Sequence, residues 1–211
     1  MSSKITRSVD SLQKIYAVII ALAINETIKS VLAPLDSLSN NLSSISLDSI
    51  MLIVSFFVLV VPFYHGMNRH LDICYIEAEK KPTNGALLFD FAIFCAESSL
   101  LFLFVKFMHR DLYGYLVLGI ILLVDMLWGI ISHFIHYQKM DKSVIRWTFI
   151  NITTIIIGIF IFSASCLENK NLLFMVLSIV RTIADYAFCW KFYFPPIAGN
   201  STTETDKIPA A

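Results

Sequence analysis

The sequence predicts an all-α fold: a polytopic helical membrane protein of about six transmembrane helices, with the amino and carboxyl ends both cytoplasmic. Three observations carry that prediction. The 211 residues are 57% hydrophobic and 15% charged, with a mean hydropathy of +0.72, whereas a soluble domain needs roughly a quarter of its residues charged to cover its surface. The apolar residues gather in runs of about 20, the length that crosses a bilayer core. Lysine and arginine fall unequally between alternate connections, as the positive-inside rule describes.

The six expected spans form a single bundle over residues 1–194. The first, 12–32, is interrupted by Asn25, Glu26 and Lys29, so an amphipathic helix lying in the interface is its competing reading. Its apolar run is followed by Asn25-Glu26 rather than small residues, which is not the pattern of a cleaved leader. The second, 48–65, contains Pro62 near its inner end, which predicts a kink or a loosening of the hydrogen-bond ladder. Helix then continues to about Lys81, where Pro82-Thr-Asn-Gly breaks it. Spans at 86–107, 112–134, 147–167 and 172–194 complete the set.

The connection 33–48 carries Leu35, Leu38, Leu42 and Ile45 at helical spacing; it reads either as a stripe on the membrane surface or as a plain loop. The tail 195–211 has little to bury and is expected to be disordered.

Orientation follows from the basic residues. Lys4, Arg7, Lys14, Arg69, Lys80, Lys81, Lys139, Lys142, Arg146, Lys191 and Lys207 fall on one side of six alternating helices. Lys29, Lys106, Arg110 and Lys170 fall on the other, and Arg181 lies within a span. The richer side is assigned to the cytoplasm. A compact chain without long outer loops suggests a bacterial inner membrane. Aromatic residues such as Phe63, Tyr64, Trp128, Trp147 and the run from Trp190 to Phe194 cluster near that boundary, where amphipathic rings favour the headgroup depth.

Several function classes are excluded. Acidic and basic residues balance at sixteen each, so no global field points to nucleic acid. Cys74, Cys95, Cys166 and Cys189 are scattered and form no CxxC pair, which argues against a disulfide framework or a structural zinc site. No phosphate-binding glycine loop and no GxSxG elbow occurs. No catalytic residue, cofactor or metal is therefore assigned.

Polar residues at bilayer depth carry the functional expectation. A charged side chain there costs about 2.5–3.5 kcal/mol on insertion scales and persists when it faces a bundle interior, pairs or works. Asp125 and Asp185 each lie about thirteen residues from the outer start of their span, near the midplane. Glu97 is half-way along the third span, and Glu26 lies in the outer half of the first. Arg181 and Asp185 are four apart and can pair along one helix face. One guanidinium cannot offset four carboxylates in low dielectric. Either some carboxyls hold their protons, or water or a cation compensates them.

Glu97, Asp125, Arg181, Asp185 and Glu26 are thus the expected ion-handling residues; the competing reading is an ionic lock between helices. Asn151, Thr153, Thr154, Ser163 and Ser165 in the fifth span either line a polar path or serve close helix packing. A second cluster, His65, Arg69, Asp90, His133 and His136, is expected at the cytoplasmic mouth, as a phosphate grip, a proton entry or plain interfacial residues.

The resulting functional expectation is a small proton- or cation-conducting channel or transporter in a lipid bilayer, possible also as a homo-oligomer. The alternative is a sensor or scaffold whose partner protein docks on the cytoplasmic loops. A lipid-modifying enzyme comes third.

Overall fold

In the computed structural model, residues 2–36, 47–78, 83–107, 113–136, 142–164 and 166–195 are described. They contain α1 (Ser2–Asp36), α2 (Leu47–Leu71), α3 (Asn84–Phe107), α4 (Tyr113–His136), α5 (Lys142–Ser163), α6 (Lys170–Phe188) and the single-turn α7 (Trp190–Tyr193). A π-helical turn, Asp72–Glu77, continues α2 without a break. Six of these helices are long and apolar enough to cross a membrane, α1 among them over Ile5–Ser30. The described residues contain no strand, so the protein is an all-α, multi-pass membrane protein. Most of 33–48 and nearly all of the tail, including its expected disorder, lie outside the described residues.

The spans differ from hydropathy at their ends, where specific contacts decide. Helix α1 starts ten residues before the expected 12, because its first turns pack on the end of α2. Val9 is fully buried there, and Gln13 donates to the Asp72 carboxylate (3.1 Å) and the Asn68 carbonyl (3.4 Å). Helix α5 runs earlier than expected and ends at Ser163, where Lys170 caps the Phe162 carbonyl at 2.9 Å. The last span, expected to reach 194, stops at Phe188. Cys189 leaves helical geometry (φ −106°, ψ 21°), and the chain restarts as α7.

The six long helices close into a ring in the order α1, α3, α4, α5, α6, α2, with α2 returning to α1. Phe56 of α2 stacks on Phe104 of α3 (6.2 Å between centroids, 7°), and with Leu59, Leu101, Ile121 and Leu122 they pack the outer half of the ring with buried apolar side chains. The outward faces carry Val18, Leu22, Leu123, Phe149, Phe160 and Ile183, all exposed, as helices wetted by lipid require.

Two junctions fix the packing around the ring. Pro62 has no N–H to give the Val58 carbonyl one turn back. Thr182 of α6 supplies the missing donor, its hydroxyl reaching that carbonyl at 2.9 Å. Gly129 of α4 is the second: a Cβ built there would lie 2.3 Å from Cζ3 of Trp147, so only glycine admits the α5 indole.

Candidate functional site

Three neighbouring helices of the ring, with α7, build a buried polar chain. Asn151 of α5 donates through Nδ2 to Asp125 Oδ2 on α4 (2.9 Å) and accepts through Oδ1 from Arg181 Nη2 on α6 (3.0 Å). Arg181 Nη1 lies 3.5 Å from Asp185 Oδ2, one turn further along α6. The same Asp185 oxygen accepts the Tyr193 hydroxyl of α7 at 3.0 Å. Arg181 also stands over the Phe63 ring, 5.2 Å from its centroid, a favourable cation–π position. All five chain residues are buried.

The chain is incompletely satisfied. Arg181 Nε and Nη1 and Asp185 Oδ1 have no hydrogen-bond partner. Asp125, Arg181 and Asp185 line the deep end of a cavity of about 130 Å³ that runs between α2, α4, α5 and α6 toward the lysine- and arginine-rich side. Its walls are mostly apolar, but with these polar groups at its end a cavity of that size has room for several water molecules. Arg181 also reaches the floor of a mostly apolar cleft of about 420 Å³ between α4, α5 and α6, on the opposite side of the chain.

Glu97 of α3 does not line that cavity. It is 0% exposed, and neither carboxyl oxygen has a hydrogen-bond partner; Asp125 is its acidic neighbour. Tyr16 of α1 is buried near both. The structure thus brings together four of the five expected ion-handling residues. Glu26 is elsewhere: its carboxylate takes Lys106 Nζ at 2.5 Å, with 27% of its side chain exposed.

The mouth residues divide between two walls. On one, Arg69 forks onto Glu77 and donates through Nε to the Phe192 carbonyl (3.0 Å), tying α2 to α7. His65 Nδ1 meets the Tyr186 hydroxyl at 3.3 Å, and its ring packs on Tyr193. On the other, Asp90 is wholly buried and accepts from Tyr75 Oη (2.8 Å), Trp128 Nε1 (2.9 Å) and His70 Nε2 (3.2 Å). His133 lines the cavity between them; the His136 side chain lies outside the described residues.

Among the described residues no three His, Cys, Asp or Glu side chains converge as a metal ion requires. No family model, no curated protein and no solved structure matches the chain.

Sequence reasoning missed Trp128, Tyr75 and Tyr193 as carboxylate partners. Trp128 lies three residues after Asp125 and hence on its helix face, a signal that points it inward rather than to the headgroups. Tyr193 sits in the aromatic run read as a boundary belt. Trp190 and Phe194 keep to that reading on the exposed side, but the turn at Cys189 swings Tyr193 inward.

Proposed function

We propose that this multi-pass membrane protein moves protons or a small cation, with Asp125, Asp185 and Glu97 as the ion-handling carboxyls and Arg181 as their fixed counter-charge. The observation that carries the reading is the Asp125–Asn151–Arg181–Asp185 chain closing the deep end of a cavity directed to the basic side. One guanidinium among three carboxyls leaves negative charge uncompensated in a region where charge is costly. A proton or a small cation arriving through the cavity removes that cost. Glu97, a neighbour of Asp125 without a donor of its own, is the next acceptor in this reading.

The apolar packing around Phe56, Phe104 and Ile121 fills part of the far half, and the cleft that reaches Arg181 from that end is lined mostly by apolar side chains, so the arrangement corresponds to a site with one polar approach rather than to a hydrated pore. Passage then requires the α2–α6 contact to shift, and the Pro62 break in the α2 ladder is the natural place for that movement. In this reading the basic side faces the cytoplasm of a bacterial cell, and His133 stands at the entrance.

The test is flux into liposomes containing the purified protein, read with an internal pH dye under an imposed potassium diffusion potential and repeated with sodium or potassium gradients. Flux should exceed that of empty vesicles and fall by about tenfold or more in Asp125→Asn and Asp185→Asn, as expected when a proton-transfer group is removed. Flux equal to that of empty vesicles, or unchanged in both variants, removes the proposal. A stoichiometric soluble partner recovered by crosslinking in that case returns the scaffold reading.

A further inference from the structure

The wall of the cavity opposite the Arg181 chain holds a thiol with a base beside it. Cys74 sits in the π-helical turn at the end of α2, and its Sγ lies 3.7 Å from His70 Nδ1. The other ring nitrogen, His70 Nε2, lies 3.2 Å from Asp90 Oδ2. The imidazole is clamped edge-on against Trp128 (4.5 Å) and Phe94 (6.4 Å), while Tyr75 and Trp128 fix the Asp90 carboxylate. With Nε2–H directed at Asp90, the Nδ1 lone pair faces the sulfur. Thiol, base and a third group that orients the base are the arrangement that activates a cysteine nucleophile.

Among the described residues no hydrogen bond joins the half-buried Cys95, or Cys166 or Cys189, to a histidine. Cys189 is equally buried, at 3% exposure, but its thiol donates to the Ser143 carbonyl at 3.6 Å. Cys166 is exposed.

Cys74 and His70 line the same cavity as Arg181 and Asp185. The unpartnered Arg181 Nε and Asp185 Oδ1, both on buried side chains at its deep end, show that the space is not closed by side-chain packing. Phe63, Met67, Ile73 and Val144 give its walls an apolar surface. By the lysine and arginine count, the cavity is directed to the side where soluble acyl thioesters are found.

We propose that Cys74 is an S-acylation site that accepts a long-chain acyl group from an acyl thioester. The sulfur attacks the thioester carbonyl carbon as His70 Nδ1 takes the thiol proton. The new carbon–sulfur bond forms, the donor's carbon–sulfur bond breaks, and the imidazolium returns the proton to the departing thiolate. No oxidant or reductant enters the balance. Asp90 is a positioning residue, holding His70 in the tautomer that faces the thiol. Juxtamembrane cysteines are a recognised site class for reversible acylation. The proposal does not require ion movement, but it uses the same cavity as the ion-handling reading, so labelling and flux are read separately.

The experiment incubates the full chain in liposomes with alkynyl-palmitoyl-coenzyme A and locates the label by peptide mass spectrometry. A hydroxylamine-labile acyl group is expected on Cys74, with Cys166 and Cys189 at least about tenfold lower. His70→Gln and Asp90→Asn should slow labelling by about a hundredfold, the scale of a lost general base. Asp90→Glu should recover part of the rate, and Cys189 should stay unlabelled throughout as the report of an intact fold. In the unsubstituted protein, label on Cys166 or Cys189 equal to that on Cys74 overturns the proposal without recourse to any variant. So does an unchanged Cys74 rate in a folded His70→Gln protein.

Discussion

Replacing Thr182 by valine removes one hydroxyl and keeps the shape of the side chain, and the structure makes its cost depend on a proline on another helix. The Val58 carbonyl has lost its helical donor to Pro62 and takes the Thr182 hydroxyl instead, at 2.9 Å. A buried carbonyl left unmade costs about 1–3 kcal/mol. Interhelical hydrogen bonds measured in a membrane protein average about 0.6 kcal/mol and reach about 1.7. Thr182→Val should therefore destabilise by about 1 kcal/mol, and Thr182→Ser by much less.

In a Pro62→Ala background the residue 62 N–H reaches the Val58 carbonyl by ordinary helical geometry, so Thr182→Val there should cost close to nothing. The coupling between the two sites is then about 1 kcal/mol, well above the roughly 0.3–0.5 kcal/mol scatter of independent sites. Equilibrium unfolding of the four proteins in mixed micelles, titrated with sodium dodecyl sulfate and followed by circular dichroism, measures the cycle. An equal cost in both backgrounds refutes the reasoning.

Gly129→Ala should destabilise by about 1–3 kcal/mol through overpacking against Trp147, and adding Trp147→Leu should restore most of it in a thermal unfolding assay. Asn151→Ala strips a donor from Asp125 and an acceptor from Arg181; a loss of about 1–3 kcal/mol is expected, read by the same micelle titration. Trp128→Phe removes one of three donors to Asp90 and should cost about 1.5–3 kcal/mol, the range for hydrogen bonds to charged groups. Glu97→Leu should raise stability, because it exchanges an unpartnered buried carboxyl for an apolar side chain, while liposome flux falls; a stability loss would mean that Glu97 is satisfied by contacts other than those described.

The number and type of the helices were legible because hydropathy reports the face that meets lipid, and six runs of sufficient length announce themselves. Their ends were not. Those of α1 and α6 are set by contacts such as Gln13 with Asp72 and by the turn at Cys189, which hydropathy does not register. The Arg181–Asp185 pair was legible from helical spacing alone. The α2–α6 seam joins residues more than a hundred apart, and nothing in either segment names its partner; Thr182 looks like any other membrane threonine. For Glu26 depth was a poor guide, since a lysine on another helix reaches it at the outer end. Trp128 and Tyr193 were read by residue type, which favours the headgroup belt, when helix face and a chain reversal decide where they point.

The closed ring has a consequence for how the chain is made. Its seam joins the second segment to the sixth, so the bundle cannot seal until the final segment has entered the bilayer. Until then the Val58 carbonyl stays bare, and the Asp125–Asn151 pair waits for its arginine among lipids or the insertion machinery. The arginine that answers Asp125 arrives on one of the least apolar segments of the chain. Synthesis halted before that segment would leave an open, half-satisfied arc, a distinct target for membrane proteolysis, whereas the finished ring hides the same groups from any protease.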